Sequence, residues 1–102
     1  MAETLVKFDE PIPTSAGRNY LARAVGVERT EDRLWEGSLE FIPIDGVGET
    51  LRSGRETTQP NRKAVEYWAQ GLTRVYLMGA LDRTAASTAR RSDSHSFESR
   101  AP

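Results

Sequence analysis

The chain is predicted to be an α+β domain, a small and mostly antiparallel five-stranded meander or barrel-like sheet with one helix between its fourth and fifth strands. Three observations predict it. Apolar residues from Thr4 to Arg52 recur mostly with a period of two, the spacing of a half-buried strand. The period becomes helical between Asn61 and Leu72. Turn-forming residues separate the apolar runs, among them Pro11, Pro13, Asp45, Gly46, Pro60 and Gly71.

Thr4 to Phe8 forms the first strand, and Pro11 and Pro13 end it, because proline cannot donate to a ladder. That places it at a sheet edge. Tyr20 to Arg29 and Leu34 to Ile42 form the second and third strands, joined as a hairpin by the polar turn Thr30-Glu31-Asp32-Arg33. On the third strand Trp35, Gly37, Leu39 and Phe41 share an inner face, and Glu36, Ser38 and Glu40 an outer one. The second strand alternates less cleanly: Leu21, Val25 and Val27 bring Arg23 and Arg29 with them, against Ala22, Ala24 and Gly26. A bulge near Gly26 reconciles the phases, and Arg23 and Arg29 then meet Glu36 and Glu40 across the hairpin.

Asp45-Gly46-Val47-Gly48 supplies a turn with two glycines free to take positive φ, and Glu49 to Arg52 a short fourth strand. The helix follows over Asn61 to Gln70, with Ala64, Val65, Trp68, Ala69 and Leu72 on one face. Pro60 suits its first turn, Thr58 or Asn61 caps it, and Gly71 ends it at C′. Thr73 to Leu81 reads as a fifth strand, although its alanine-rich continuation also allows a helical ending. Two architectures compete: a curled barrel closed at one end by the helix, and an open sheet with the helix across one face. Both bury Trp35 and Trp68.

A length of 102 residues allows one domain, placed at 1–83. Residues 84–102 carry Phe97 as their only large apolar side chain and are expected to form a disordered tail. Charged residues are 28% and hydrophobic ones 37%, with a net charge of -1, so no global field draws the chain to nucleic acid. The longest apolar run, Val75 to Leu81, falls far short of the ~20 residues of a membrane span. The first residues lack the charge and apolar core of a signal peptide, and a cytoplasmic location is expected. No membrane contact is expected.

With no cysteine and a single histidine, His95, thiol nucleophiles, a histidine-based triad and a structural metal site drop out. No metal or cofactor is expected. Glu36 and Glu40 share a strand face, but four residues at about 3.3 Å each separate them by roughly 13 Å, too far for a coupled acid–base pair. Gly46-Val47-Gly48 leads into a strand-like segment rather than a helix, so the dinucleotide-binding context is missing. A non-enzymatic chain is the reading.

Leu51 to Lys63 is the unusual stretch, with Arg52, Arg55, Arg62 and Lys63 against Glu56 alone, and it runs into a helix N-terminus. Arg52, Arg55, Thr57 and Arg62 are candidates for clamping a phosphate or a partner's carboxylate, since guanidinium groups bind both bidentately. The plain alternative is helix capping with local ion pairs. Tyr67 lies off the apolar helix face and is the candidate aromatic contact, whereas Tyr20 and Tyr76 suit packing. The expected partner is another protein engaged through this loop and the adjoining helix. Nucleic acid or a phosphate ligand is the second reading.

Gly54-Arg55-Glu56-Thr57-Thr58-Gln59-Pro60-Asn61-Arg62, followed by Glu66-Tyr67-Trp68-Ala69 and Val75-Tyr76-Leu77, is similar to stretches in short bacterial proteins of uncharacterised function. The resemblance covers about a third of the chain and implies a bacterial source, with no activity attached.

Overall fold

A computed structural model of the chain describes residues 2–99, with side chains described as far as 88. The elements, in order, are β1 (Glu3–Lys7), β2 (Ile12–Pro13), β3 (Asn19–Glu28), β4 (Trp35–Pro43), β5 (Leu51–Arg52), β6 (Thr57–Gln59), α1 (Arg62–Gln70) and α2 (Arg74–Ser99). The strands make one open antiparallel sheet. It is not a barrel, and both helices follow the strands.

The β3–β4 hairpin is the sheet's centre, in register from Tyr20 opposite Pro43 to Glu28 opposite Trp35. Its turn is the one expected. Arg33 takes φ 64, Arg29 N–H donates to the Leu34 carbonyl at 2.7 Å, and Leu34 N–H donates to Asp32 Oδ1 at 3.1 Å. β1 and β2 share one flank of β3, and β5 and β6 share the far flank of β4. Each edge is thus made of short interrupted strands, with Pro13 in one of them, which blunts pairing with foreign chains.

At the middle of the inner face Ala22 and Ala24 on β3 lie against large residues on β4. Ala22 lies opposite Phe41, Ala24 opposite Leu39, and Gly26 opposite Gly37. Leu39, Phe41 and Ala24 are fully buried, and they join Ile12, Tyr20, Ala69, Leu77, Ala80 and Leu81 in one core. Each large aliphatic or aromatic side chain removed from water here contributes about 1.5–3 kcal/mol.

The bulge expected in the second strand near Gly26 does not form; a bulge lies instead in the neighbouring β1. β3 and β4 pair without a break, whereas β1 shifts register between Thr4 and Val6, opposite Val25 and Ala24. The extra residue, Leu5, lets both Leu5 and Val6 pack on the core, and the missing side chain of Gly26 accommodates Leu5. A β-carbon at Gly26 would sit 3.1 Å from Leu5 Cδ1.

α1 is the helix the sequence specifies. Asn61, at extended φ -157, caps it, its side chain accepting from Ala64 N–H at 2.8 Å. Thr58 does not cap, because it belongs to β6. Gly71 ends the helix at an ordinary φ of -89, its N–H donating to the Tyr67 and Trp68 carbonyls, so the left-handed freedom of glycine is unused there. Gly46 and Gly48 do use it, at φ 72 and 91.

The fifth strand expected over Thr73 to Leu81 is instead the start of α2. Leu77, Ala80, Leu81 and Thr84 are buried at helical spacing, while Val75, which alternation would turn inward, is 80% exposed. Thr73 starts the helix, its hydroxyl accepting from Tyr76 N–H at 3.2 Å. Asp82 accepts from Ser15 N–H and Oγ, and Arg74 donates to the Pro11 carbonyl, so the helix is tied across the β2 end of the sheet. α2 also passes through the expected domain boundary at Arg83: Thr84 is buried and donates to the Ala80 carbonyl at 2.8 Å. Of the tail expected to be disordered, 84–99 continue α2 in backbone, whereas side chains beyond 88, including that of His95, and residues 100–102 altogether lie outside what is described. Trp35 and Trp68 are half-buried rather than buried.

Trp68 explains Gly37. A β-carbon on Gly37 would lie 2.6 Å from Trp68 Cζ3 and 2.9 Å from Thr57 Cγ2, so the indole and the Thr57 methyl close directly over bare backbone. No helix among the described residues is long and apolar enough to cross a membrane.

Candidate functional site

The segment from Leu51 to Lys63 is less of a loop than its polarity suggests. β5 pairs with Glu40 and Phe41, and β6 with Trp35, Glu36 and Gly37. Between them Ser53 N–H donates to the Leu39 carbonyl at 2.9 Å and Glu56 N–H to the Gly37 carbonyl at 2.8 Å, while Ser53 Oγ accepts from Leu39 N–H. The segment therefore runs along the flank of β4, tied to it by backbone hydrogen bonds from Ser53 and Glu56 between the two short strands.

Its arginines diverge. Arg52 donates through Nε to Glu40 Oε2 at 3.0 Å, on the sheet's outer face, where Arg23 donates to the other oxygen at 2.6 Å. Burial pushes the Glu40 carboxyl pKa upward, but the hydrogen bonds from Arg23 and Arg52 outweigh it and hold the group below the usual range. Arg55 lies 4.0 Å from Glu36, which Arg29 approaches at 3.4 Å. Arg23 and Arg29 thus meet Glu40 and Glu36 across the hairpin as the alternation predicted, with Glu40 held between two cations rather than exposed.

Arg62 points elsewhere, to Glu3 on β1 and to Glu66 one turn along α1. Its hydrogen bond holds the Glu3 carboxyl below its usual range. Thr57 Oγ1 accepts from Gln59 Nε2 at 2.7 Å, and its methyl packs over Gly37, so it serves the fold. Tyr67 is 79% exposed, in keeping with its place off the apolar helix face. The candidate cations do not converge on the α1 N-terminus, whose Ala64 donor Asn61 already satisfies.

A different cluster forms where the segment meets α2. The Glu56 carboxylate accepts from the Tyr76 hydroxyl at 2.5 Å and from Arg83 Nη2 at 3.3 Å, and the Arg83 guanidinium lies 5.9 Å from the Tyr76 ring centre. The Glu56 hydrogen bond pushes the Tyr76 phenol up from its ordinary value, with burial acting in the same direction. Beside this cluster an open cleft of about 280 Å³ lies between Arg52, Ser53 and Glu56 on the sheet side and Arg83, Thr84 and Ser87 on α2. Sequence reading missed Tyr76, Arg83 and Ser87 as a group. The signal was present: they are spaced seven and four apart, one stripe of a helix, but only once residues 73–87 are read with a helical period.

Among the described residues no group of three or more His, Cys, Asp or Glu side chains is arranged to hold a metal ion. No protein-family model, curated protein or solved structure matches this chain.

Proposed function

We propose that this chain is a non-catalytic protein-interaction module that engages its partner through the segment Arg52 to Arg62 and the neighbouring surface of α1. The charge balance of the segment carries the reading. Arg52, Arg55 and Arg62 each face a carboxylate of their own chain, which leaves a mixed-charge strip rather than the uncompensated positive surface that a phosphate backbone requires. Alongside it Tyr67 stands open to solvent, and exposed tyrosine with arginine is the composition enriched where proteins meet.

The test is site-directed photo-crosslinking in cells. A crosslinking side chain at Tyr67 is expected to capture a defined protein, while the same group at Val47, in the turn at the other end of β4, captures none of it. Arg55→Ala is expected to lower that capture and leave the melting temperature almost unchanged, because an exposed pair of 4.0 Å contributes about 0–1 kcal/mol. Equal capture from both positions, or capture indifferent to Arg55, removes this surface as the interface.

A further inference from the structure

The cleft between β5 and α2 shares its sheet wall with the interaction strip and adds a second wall from α2. Its lining brings two arginines to one polar space from different elements, Arg52 from the sheet and Arg83 from the helix. Neither is fully used. Arg52 hydrogen-bonds to Glu40 through Nε, and Arg83 to Glu56 through one Nη at 3.3 Å, so each retains further N–H donors. Both side chains are mostly exposed, at 68% and 63%, whereas the carboxylates that hold them are 12% exposed. Each cation is therefore anchored by a nearly buried carboxylate while most of its side chain stays in solvent. Ser87 adds a hydroxyl to the α2 wall.

We infer that this cleft receives a phosphate group carried by a protein partner. The inference rests on the protein-interaction reading above and names the chemistry of the partner's contact. A phosphate offers three terminal oxygens in a tetrahedron and accepts from forks on two walls at once, which a planar carboxylate satisfies less well. Size agrees: at roughly 30 Å³ per water, the cleft has room for about nine waters, enough for a phosphorylated serine side chain. Glu56, also in the lining, opposes the ligand's charge, but its carboxylate keeps the Tyr76 hydroxyl as donor when Arg83 turns to the ligand.

Amide chemical-shift titration of the full chain tests this with three probes: inorganic phosphate, a phosphoserine peptide flanked by neutral residues, and its unphosphorylated form. The phosphopeptide is expected to shift Ser53, Gly54, Thr84 and Ser87 in a saturable way, at lower concentration than inorganic phosphate, while the unphosphorylated peptide leaves them in place. Arg83→Gln is expected to weaken phosphopeptide binding about tenfold or more, the size of one lost charge-assisted hydrogen bond. Ser87→Asp, which sets a carboxylate in the cleft without touching either ion pair, is expected to abolish it. Arg33→Gln, in the β3–β4 turn and outside both the cleft and the interaction strip, should leave it unchanged.

Three results overturn the inference: no saturable shift at the cleft, equal loss in Arg33→Gln, or binding of inorganic phosphate without the phosphopeptide. The last would assign the cleft to free phosphate. Crosslinking at Tyr67 that survives Arg83→Gln and Ser87→Asp would show the interaction strip standing while the phosphate site fails.

Discussion

Replacing Gly37 with alanine sets the packing of α1 on the sheet against a single methyl group. The added carbon would stand 2.6 Å from Trp68 Cζ3 and 2.9 Å from both Trp68 Cε3 and Thr57 Cγ2. Carbon atoms prefer about 3.5–4.0 Å, so the indole must withdraw by roughly an ångström. Backbone lies on one side and α1 on the other, so the shift carries into the helix. Overpacking of this kind costs about 1–3 kcal/mol. For a domain of this size each kcal/mol moves the melting temperature by about 4–8 °C, so a fall of roughly 4–24 °C is expected. Gly54→Ala is the control, since nothing lies within 4 Å of its added carbon, and it should melt as the wild type does or slightly higher. Thermal and urea unfolding followed by circular dichroism reads the difference. Trp68 emission in a Trp35→Phe background should shift to the red, and Trp68→Leu combined with Gly37→Ala should recover part of the loss, as expected for residues in contact. Equal melting of the Gly37 and Gly54 variants, with no coupling to Trp68, would refute the close approach of helix to sheet.

Glu40 provides a pH test. Its carboxyl pKa is depressed in the folded chain, so its contribution is present above the unfolded value of about 4.3 and is lost as pH falls through the folded value. Glu40→Gln should therefore be less stable at pH 7, by about 1–3 kcal/mol, and lose less on acidification than the wild type; parallel acid-unfolding curves would contradict this. Leu81→Ala and Val75→Ala separate helix from strand after Thr73. The first should cost about 2–5 kcal/mol and the second under about 0.5, because Leu81 is fully buried and Val75 is 80% exposed, and similar losses in urea unfolding would restore the alternating strand.

The hairpin, its turn, the helix with its Asn61 cap and the cross-strand pairs of Arg23 and Arg29 were legible because each depends on residues close in sequence or fixed by a period of two. The candidate site was legible only in part. Arg52, Arg55 and Arg62 were visible as a charge cluster, yet where each guanidinium goes depends on Glu40, Glu36 and Glu3, which only strand pairing and helix placement bring within reach. Tyr76 and Arg83 went unread as partners of Glu56 because residues 73–81 satisfy two periods. Leu77 and Leu81 are four apart, which suits a strand face and a helix face alike.

Local sequence, then, determined the class of the fold, the antiparallel hairpin with the inner face of its second strand, and the start of α1, since these follow from side-chain alternation, turn chemistry and capping. Tertiary structure decided that the sheet stays open, that the bulge falls on β1 rather than β3, and that, of the two endings the sequence allowed after Thr73, the helix forms. Each of those choices turns on burial against a distant element: Leu5 against the gap at Gly26, Trp68 over Gly37, and Leu77 and Leu81 against the core with Ile12 and Phe41. Contacts so far apart along the chain leave no periodic trace, because the free energy that selects them arises only when both surfaces leave water together.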